Sequence, residues 1–329
     1  MLILADDLLK IPFRRIAIHM KHIHVAALEL DAEIAKKIGK KGSESDFTIY
    51  NCKEGDEVLC LYHANKYPEK IQPLLYSLSL CDVAYLRANA IDKTTGEMIV
   101  AIASFGKKLI VLTDKVGKSE IEPLLKAAGL ASYEFFEGDA NALRERLITE
   151  ASLRKADGKT EVVIDSCFPV KGVGTVALGI VQQGKVTIHQ KLNFIPAGVS
   201  AEVKSIQVQD EDVKEADVGS RVGLNLKGME PDKVGKGDLA VEVDFPAALK
   251  IEATLTLSKF YKGTLDTVQF FILSGLKFVS CKAKKLENGN FELELGAPIC
   301  LRAGETACVF LPEAMPRAIG SAKVVKILQ

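Results

Sequence analysis

The sequence predicts an α/β domain with a mostly parallel sheet, followed by two all-β modules. Residues 1–157 alternate apolar, strand-like runs with helix-like runs, and this alternation is typical of a parallel sheet covered by helices. Residues 158–243 and 244–329 instead hold short apolar and β-branched runs separated by turns that contain glycine, which is the pattern of small barrels. The length of 329 residues suits two or three domains, each able to bury a core.

The first part reads in the order β-α-β-β-α-β-α-β-α-β-α, so a five- or six-stranded sheet is expected. Its strand-like runs are residues 23–28, 47–50, 58–62, 83–86, 109–113 and 133–136. Its helix-like runs are residues 31–38, 68–80, 95–105, 119–128 and 141–151. The stretch 39–43, Gly-Lys-Lys-Gly-Ser, follows a helix and is expected to be a solvated loop.

The first all-β module is expected to open with a bend and a hairpin. Pro169 excludes a helix, while Gly172 and Gly174 allow positive φ. Residues 175–178 are predicted to be a strand, with a turn at 182–184 and a returning arm at 185–188. In the second module, the predicted strands are residues 251–257, 267–273, 276–282, 291–295 and 306–311.

Composition narrows the classes of function. Lys plus Arg and Asp plus Glu are both 43, so no overall field attracts a polyanion, and any contact with nucleic acid requires a local patch. The first seven residues are too short and too acidic for a signal peptide, and no apolar run of about 18 residues exists. The seven cysteines form no CxxC pair. We therefore expect a cytoplasmic protein with reduced thiols, without a membrane or DNA partner.

Two local patterns imitate functional sites. His19, His22 and His24 form an HxxHxH cluster, but no further ligand completes a metal site, so a hydrogen-bonded strand end is expected. Residues 179–185 satisfy GxxxxGK, but they span two predicted β arms, whereas a phosphate loop joins a strand to a helix. No catalytic residue and no metal ligand is predicted.

Five segments of the first all-β module occur in one order over roughly eighty residues. They are 168–181 (Phe-Pro-Val-Lys-Gly-x-Gly-Thr-Val-x-x-Gly-x-Val), 203–207, 215–219, 221–228 (Arg-Val-Gly-Leu-Asn-Leu-Lys-Gly) and 237–239 (Gly-Asp-Leu). Together they resemble the second domain of the translation GTPases elongation factor Tu, SelB and initiation factor 2 gamma. Residues 291–295 and 317–322 are similar to the third domain of the same factors. Gly96 and Glu97 resemble a remnant of the family's first domain.

The resemblance implies a degenerate P-loop GTPase-like domain followed by two β-barrels of the elongation factor Tu type. The implied domains are residues 1–157, 158–243 and 244–329. The nucleotide motifs of the family are missing from the first domain. Residues 28–36 lack GxxxxGK[ST], residues 61–65 lack DxxG, and residues 113–116 lack [NT]KxD.

The resemblance therefore implies a SelB-like translation factor, as found among archaea, that binds tRNA, aminoacylated or not, or the ribosome without hydrolysing GTP. No cofactor is expected on this hypothesis, and an enzymatic activity is disfavoured. One alternative is a working GTPase that binds GTP and Mg²⁺ through substitute phosphate ligands, with Lys36, Lys40 and Lys41 as candidates. Another is a protein-binding scaffold that reuses the fold.

Matching the aminoacyl-tRNA pocket of elongation factor Tu by position selects five candidate RNA-binding residues. Gln207, Gln209 and Asp210 lie on one predicted strand, and Arg221 and Asn225 on the next. Arg221 is the strongest candidate, because a guanidinium can bind an acidic group or a phosphate with two hydrogen bonds.

Overall fold

The computed structural model describes residues 21–44, 46–150 and 157–329. His19 and the N-terminal residues 1–7, on which two of the predictions depend, lie outside this part of the chain. The described residues form a seven-stranded α/β sheet followed by two closed β-barrels. The predicted fold class is confirmed.

Five helices cover the first sheet. Its strands are β1 Lys21–Leu28, β2 Lys40–Glu44, β3 Phe47–Glu54, β4 Glu57–Ala64, β5 Val83–Arg87, β6 Lys108–Leu112 and β7 Tyr133–Phe136. Its helices are α1 Ala32–Ile38, α2 Gln72–Leu80, α3 Lys93–Ser104, α4 Lys118–Ala127 and α5 Ala140–Ile148. The strand order is β2-β3-β4-β1-β5-β6-β7, and the last five strands in this order run parallel.

Strand β1 is buried on both faces, as its mostly apolar run predicts. Successive side chains of a strand point to opposite faces. Val25 accordingly belongs to the core under α1 and α5, while its neighbour Ala26 belongs to the core under α2, α3 and α4. The carboxyl ends of β1, β5 and β6 meet at one edge of the sheet, where ligands bind in open α/β folds.

The sheet has seven strands because the predicted solvated loop at 39–43 is largely a strand. Lys40 and Lys41 of β2 lie opposite Asn51 and Tyr50 of β3. A Cβ atom on Gly39 would lie 2.9 Å from the Asn51 main chain, so the missing side chain permits this close approach. The prediction was wrong because lysine and glycine weaken the strand signal, although lysine is well suited to the exposed edge of a sheet.

The second domain is a six-stranded barrel with short additional strands. Its strands are β8 Glu161–Val170, β9 Gly174–Gln183, β10 Lys185–Thr187, β11 Lys191–Ile195, β12 Val199–Val208, β13 Glu211–Val213, β14 Glu215–Asp217, β15 Arg221–Lys227 and β16 Leu239–Val241. The ring β11-β16-β8-β9-β15-β12 is closed by pairing of β11 with β12. The predicted hairpin of 175–178 with 185–188 was wrong. Both edges of β9 are already paired, with β8 and β15, so β10 pairs with β14.

The third domain is a second closed barrel of six strands. They are β17 Ala248–Leu257, β18 Phe270–Ser274, β19 Lys277–Lys285, β20 Phe291–Ile299, β21 Thr306–Phe310 and β22 Ala318–Ile327. The ring order is β17-β20-β19-β18-β21-β22. The predicted domain boundaries, 157/158 and 243/244, fall between the sheets and remain predictions.

One apolar cluster extends across all three domains. Residues of α2 and α3 share it with Val163 and Ile180 of the second domain and with Leu273, Phe310 and Ala318 of the third. Within the described residues, no helix is both long and apolar enough to cross a membrane.

Candidate functional site

The turn from β1 to α1 is too short to wrap a phosphate. Glu29, Leu30 and Asp31 are the three residues between the end of β1 and the start of α1. A phosphate loop needs about eight residues, whose main-chain N–H groups surround the anion. Glu29 takes a φ of 52°, and the Asp31 side chain caps α1 by accepting a 2.7 Å hydrogen bond from the Glu33 N–H.

The Glu29 carboxylate is held by neighbours at the same edge of the sheet. Its Oε2 accepts hydrogen bonds of 3.0 Å from both the main-chain N and the Nδ2 of Asn89, which follows β5. The Oδ1 of Asn89 in turn accepts a 2.8 Å hydrogen bond from Lys115 Nζ, which follows β6. This chain of contacts, Glu29–Asn89–Lys115, is called the edge network below. It links the carboxyl ends of β1, β5 and β6.

A second set of charges lies beside the edge network. Arg87, at the end of β5, donates from Nε and Nη2 to Asp114 Oδ2 at 2.9 and 2.5 Å. Asp31 Oδ2 is 4.0 Å from Arg87 Nη1. The hydrogen bonds to Asp114 raise the pKa of Arg87, which therefore stays charged. Residues that would surround a nucleotide are thus paired with one another.

GTP and Mg²⁺ do not fit the side chains at this edge. Glu29 places a carboxylate in the β1–α1 turn, where it would repel a phosphate, and this three-residue turn is too short to form a cradle of N–H groups. At the end of β4, where the family has an aspartate, burial lowers the pKa of His63, opposed by a hydrogen bond with the Ala27 main chain. A neutral imidazole is a poor Mg²⁺ ligand, since this ion prefers oxygen.

The substitute lysines lie elsewhere. Lys36 Nζ donates to Glu33 at 2.8 Å and Lys41 Nζ donates to Glu44 at 2.7 Å. Lys40 and Lys41 belong to β2, which is three strands away from β1 in the sheet. At the usual interstrand spacing this is about 14 Å. The structure therefore does not bring Lys40 and Lys41 to the β1–α1 turn.

Three of the five predicted RNA-binding residues lie together on the outer face of the second-domain barrel. Along β15, Val222, Leu224 and Leu226 point into the core, so Arg221 and Asn225 point outward. Gln207 of β12 lies opposite Gly223, between these two, in the antiparallel pairing of β12 with β15.

Gln209 and Asp210 instead form the turn between β12 and β13. Their φ values are 52° and 64°, the left-handed conformation that a type I′ hairpin turn requires at both central positions. Gln207 also faces this hairpin, because its Nε2 donates a 3.0 Å hydrogen bond to Asp212 Oδ1. The turn therefore borders the outer face rather than lying within it.

The space left by the missing side chain of Gly223, called the depression below, was not predicted. A Cβ atom built on Gly223 would be 3.5 Å from Leu178 Cδ2 and 3.9 Å from Gln207 Cβ, so the glycine leaves room between these side chains. Asn225 at one end of the depression is buried, with 9% of its surface exposed. The alternation of side chains along β15 could have predicted that Gly223 faces outward. It could not have predicted Leu178 and Gln207 beside it, because these residues belong to other strands.

The histidines of β1 contact the second domain rather than a metal. His24 Nε2 donates a 2.8 Å hydrogen bond to the Gly219 carbonyl, and its Nδ1 lies 2.7 Å from Tyr62 Oη. His22 Nε2 lies 3.2 Å from Ser220 Oγ. No group of three His, Cys, Asp or Glu side chains within 21–44, 46–150 and 157–329 could hold a metal ion.

A cleft of about 300 Å³ lies where the three domains meet. The cations that line it are already bound: Arg302 Nη2 donates to Glu161 at 2.6 Å, and Lys107 Nζ donates at 2.6 Å to a main-chain carbonyl. The Arg302 guanidinium also stacks on Phe245, with its central carbon 3.8 Å from the ring centroid. The charges of the cleft are balanced, and we assign no ligand to it.

The seven cysteines are free thiols, as predicted. Burial raises the pKa of Cys81 to about 11 and that of Cys281 to about 12. Protonated, buried thiols are poor nucleophiles.

Comparison with known proteins agrees with this architecture. The family model described as elongation factor Tu domain 2 matches residues 174–241. An uncharacterized protein of Methanocaldococcus jannaschii is 32% identical over 294 residues, which cover 88% of this chain and 96% of that protein. Elongation factor 1-alpha of Archaeoglobus fulgidus is 30% identical over 173 residues, which cover 51% of this chain and only 41% of the factor.

The solved structure of SelB from Methanococcus maripaludis, in complex with the GTP analogue GppNHp, superposes with a TM-score of 0.77. The match covers 94% of this chain and 80% of SelB, and its 20% identity makes the likeness one of fold. An α/β domain ahead of two six-stranded barrels is the architecture of a translation factor. The chain belongs to the translation GTPase superfamily and is SelB-like.

Proposed function

We propose that this protein is a SelB-like translation factor that binds tRNA or ribosome-associated RNA without hydrolysing GTP. The observation that carries the proposal is the contrast between two sites. The edge network and the three-residue turn fill the nucleotide edge, whereas the outer face of the second-domain barrel keeps its polar residues and its depression. We also keep the predicted domain boundaries as part of this proposal.

The RNA contact is assigned to the outer face around Gly223. Arg221 and Gln207 border the depression, and Asn225 closes one end of it. A guanidinium offers several donors in a fixed plane, so it suits a phosphate or the acidic group of an aminoacylated end. Because the whole chain has no net charge, recognition depends on these local contacts.

On this proposal, the protein binds RNA without GTP and without Mg²⁺. A working GTPase with substitute phosphate ligands predicts instead that nucleotide binds and strengthens RNA binding. A protein-binding scaffold predicts that no RNA binds. Measurements of RNA affinity with and without nucleotide separate the three.

Fluorescence anisotropy with labelled tRNA, both free and aminoacylated, at one fixed salt concentration tests the assignment. Arg221→Ala should weaken binding about 10- to 150-fold, the cost of hydrogen bonds to a charged group. Arg144→Ala is the matched control, because Arg144 lies on α5 of the first domain and pairs with Glu54. Equal affinities of Arg221→Ala and the parent protein would show that the outer face is assigned wrongly.

Gly223→Val tests the depression by filling it. The added Cβ makes ordinary contacts, at 3.5 and 3.9 Å, and valine suits a strand; thermal unfolding checks that the variant keeps its fold. RNA affinity should fall at least about tenfold, since a 1.4 kcal/mol loss corresponds to that factor. A Gly223→Val protein that is folded and binds RNA like the parent contradicts a role of the depression.

A further inference from the structure

At the contact between α3 and the strand β22, an ion pair joins the first domain to the third. We propose that Glu97 and Arg317 form a latch that keeps the α/β domain docked on the third-domain barrel in every ligand state. Glu97 lies on α3, and Arg317 directly precedes β22. The two residues are 220 positions apart in the chain.

Three hydrogen bonds fix the geometry of this Glu97–Arg317 latch. Arg317 donates from its main-chain N and from Nε to Glu97 Oε1, at 2.7 and 2.9 Å. It also donates from Nη2 to Glu97 Oε2 at 2.6 Å. Both carboxylate oxygens are therefore used by one residue of another domain. Because the guanidinium and the carboxylate bind side by side through two hydrogen bonds, the pair fixes the relative orientation of the two domains in addition to their contact.

The latch is buried. The Glu97 side chain is 0% exposed and that of Arg317 is 16% exposed. The guanidinium carbon of Arg317 lies 5.8 Å from the ring centroid of Tyr67, whose hydroxyl donates to the Thr94 carbonyl at 3.0 Å. Hydrogen bonds to Glu97 raise the pKa of Arg317, so the cation persists. A buried carboxylate that loses its cationic partner is left with an uncompensated charge, which strongly disfavours the docked arrangement.

The surroundings of the latch hold the α/β domain from several sides. The apolar cluster shared by α2, α3 and the barrels continues beside it. Lys236 of the second domain bridges to Asp46 of the first, at 2.9 Å, and to Asp165 of its own domain, at 2.7 Å. The His24 contact with Gly219 adds a hydrogen bond between the first two domains.

The position of α3 is fixed from within the first domain. Asn89, in the segment between β5 and α3, is bound by Glu29 and Lys115. Asp92 caps α3 by accepting a 2.8 Å hydrogen bond from the Thr95 N–H. The helix that carries Glu97 is therefore positioned by contacts within the first domain and not by a bound nucleotide. We infer that nucleotide binding does not open the latch.

This inference goes beyond the proposed function, because it concerns the position of a domain and does not require RNA. Small-angle X-ray scattering on the full chain measures it directly. A compact protein of this length has a radius of gyration of about 20 Å, and release of the first domain should increase it by about 3 Å or more. The parent protein should keep its value when GTP, GDP or Mg²⁺ is added.

Arg317→Ala should release the α/β domain from the third-domain barrel and increase the radius of gyration. Its Tm should fall by roughly 4–7 °C. Arg146→Ala is the matched control, because Arg146 pairs with Glu134 and Glu150 inside the α/β domain. It should lower Tm and leave the radius of gyration unchanged. Exchanging both latch residues for methionine should restore compactness, because an apolar pair of similar size suits a buried site.

Glu97→Gln keeps the test decisive if Arg317→Ala does not fold. The amide of Arg317 donates to Glu97, so its hydrogen exchange should become at least about tenfold faster in Glu97→Gln, as expected when a charged acceptor is lost. An unchanged radius of gyration in folded Arg317→Ala, or unchanged exchange in Glu97→Gln, overturns the latch. A change in the parent protein's radius of gyration on adding nucleotide also overturns it. Failure of the parent protein to bind tRNA would contradict the proposed function alone.

Discussion

Addition of GTP or GDP with Mg²⁺ should leave the protein unbound and its stability unchanged. The reason lies in the β1–α1 turn, where Glu29 stands at the place of the first glycine of a phosphate loop. One carboxylate about 4 Å from a phosphate charge costs about 4 kcal/mol at an effective dielectric of 20. This alone weakens binding roughly a thousandfold. A nucleotide would also have to displace Asn89 and Lys115 from the edge network.

Isothermal titration calorimetry and thermal unfolding, at nucleotide and Mg²⁺ concentrations of a few millimolar, measure this. A ligand at 100 times its Kd adds about 2.7 kcal/mol to the free energy of unfolding. That gain raises Tm by roughly 4 °C in a protein of this size. We expect no resolvable heat of binding and no shift in Tm, with an active archaeal elongation factor as the positive control.

Glu29→Gln separates charge from geometry. It removes the repulsion but leaves a turn of three residues, so we expect that it does not bind nucleotide either. A low-micromolar Kd for the parent protein would refute the whole argument and return the chain to the working GTPases. Tight binding by Glu29→Gln alone would refute the argument from the length of the turn.

Two further predictions concern stability. Gly237 has a φ of 81°, and a Cβ atom there would lie 2.4 Å from the main-chain N of Lys277, whereas Gly228 has a φ of 78° and open space. Gly237→Ala should therefore lower the free energy of urea unfolding by about 1–3 kcal/mol more than Gly228→Ala, and equal losses would show that the two barrels can separate slightly. Burial lowers the pKa of His63 in the folded protein, so the unfolded chain takes up a proton on this group at a higher pH. The free energy of unfolding should therefore fall as the pH drops below about 6.5. This group contributes at most about 1.4 kcal/mol per pH unit. His63→Gln should have a flatter stability profile between pH 5 and 6.5, within the range that unperturbed histidine titrates, and an unchanged slope contradicts the burial argument.

Sequence reasoning reached the fold because the strongest signals are local. The mostly apolar run of β1 predicted a strand buried on both faces, and Gly172 and Gly174 indeed have φ values of 79° and 114°. It failed at β2, where strand formation depends on pairing with β3 and not on the intrinsic preference of Lys40 and Lys41.

The candidate site was predictable in part for the same reason. Arg221 and Asn225 were assigned to one strand, and in the structure they lie on the same face of β15, while their role in RNA binding stays a prediction. The missing nucleotide motifs indicated an altered first domain, but the edge network could not be foreseen. Glu29 and Asn89 are 60 positions apart, and Lys115 is 26 positions further on, so no short pattern connects them.

The apolar cluster that spans the domains has a consequence for synthesis of the chain. The first domain leaves the ribosome before Phe310 and Ala318, which complete the core beneath α2 and α3, have been made. During that interval the nascent α/β domain presents an unfinished apolar face, and such faces favour aggregation. Folding of this protein should therefore be completed only when its last barrel is closed, and a chain that stalls before β21 should depend on chaperones.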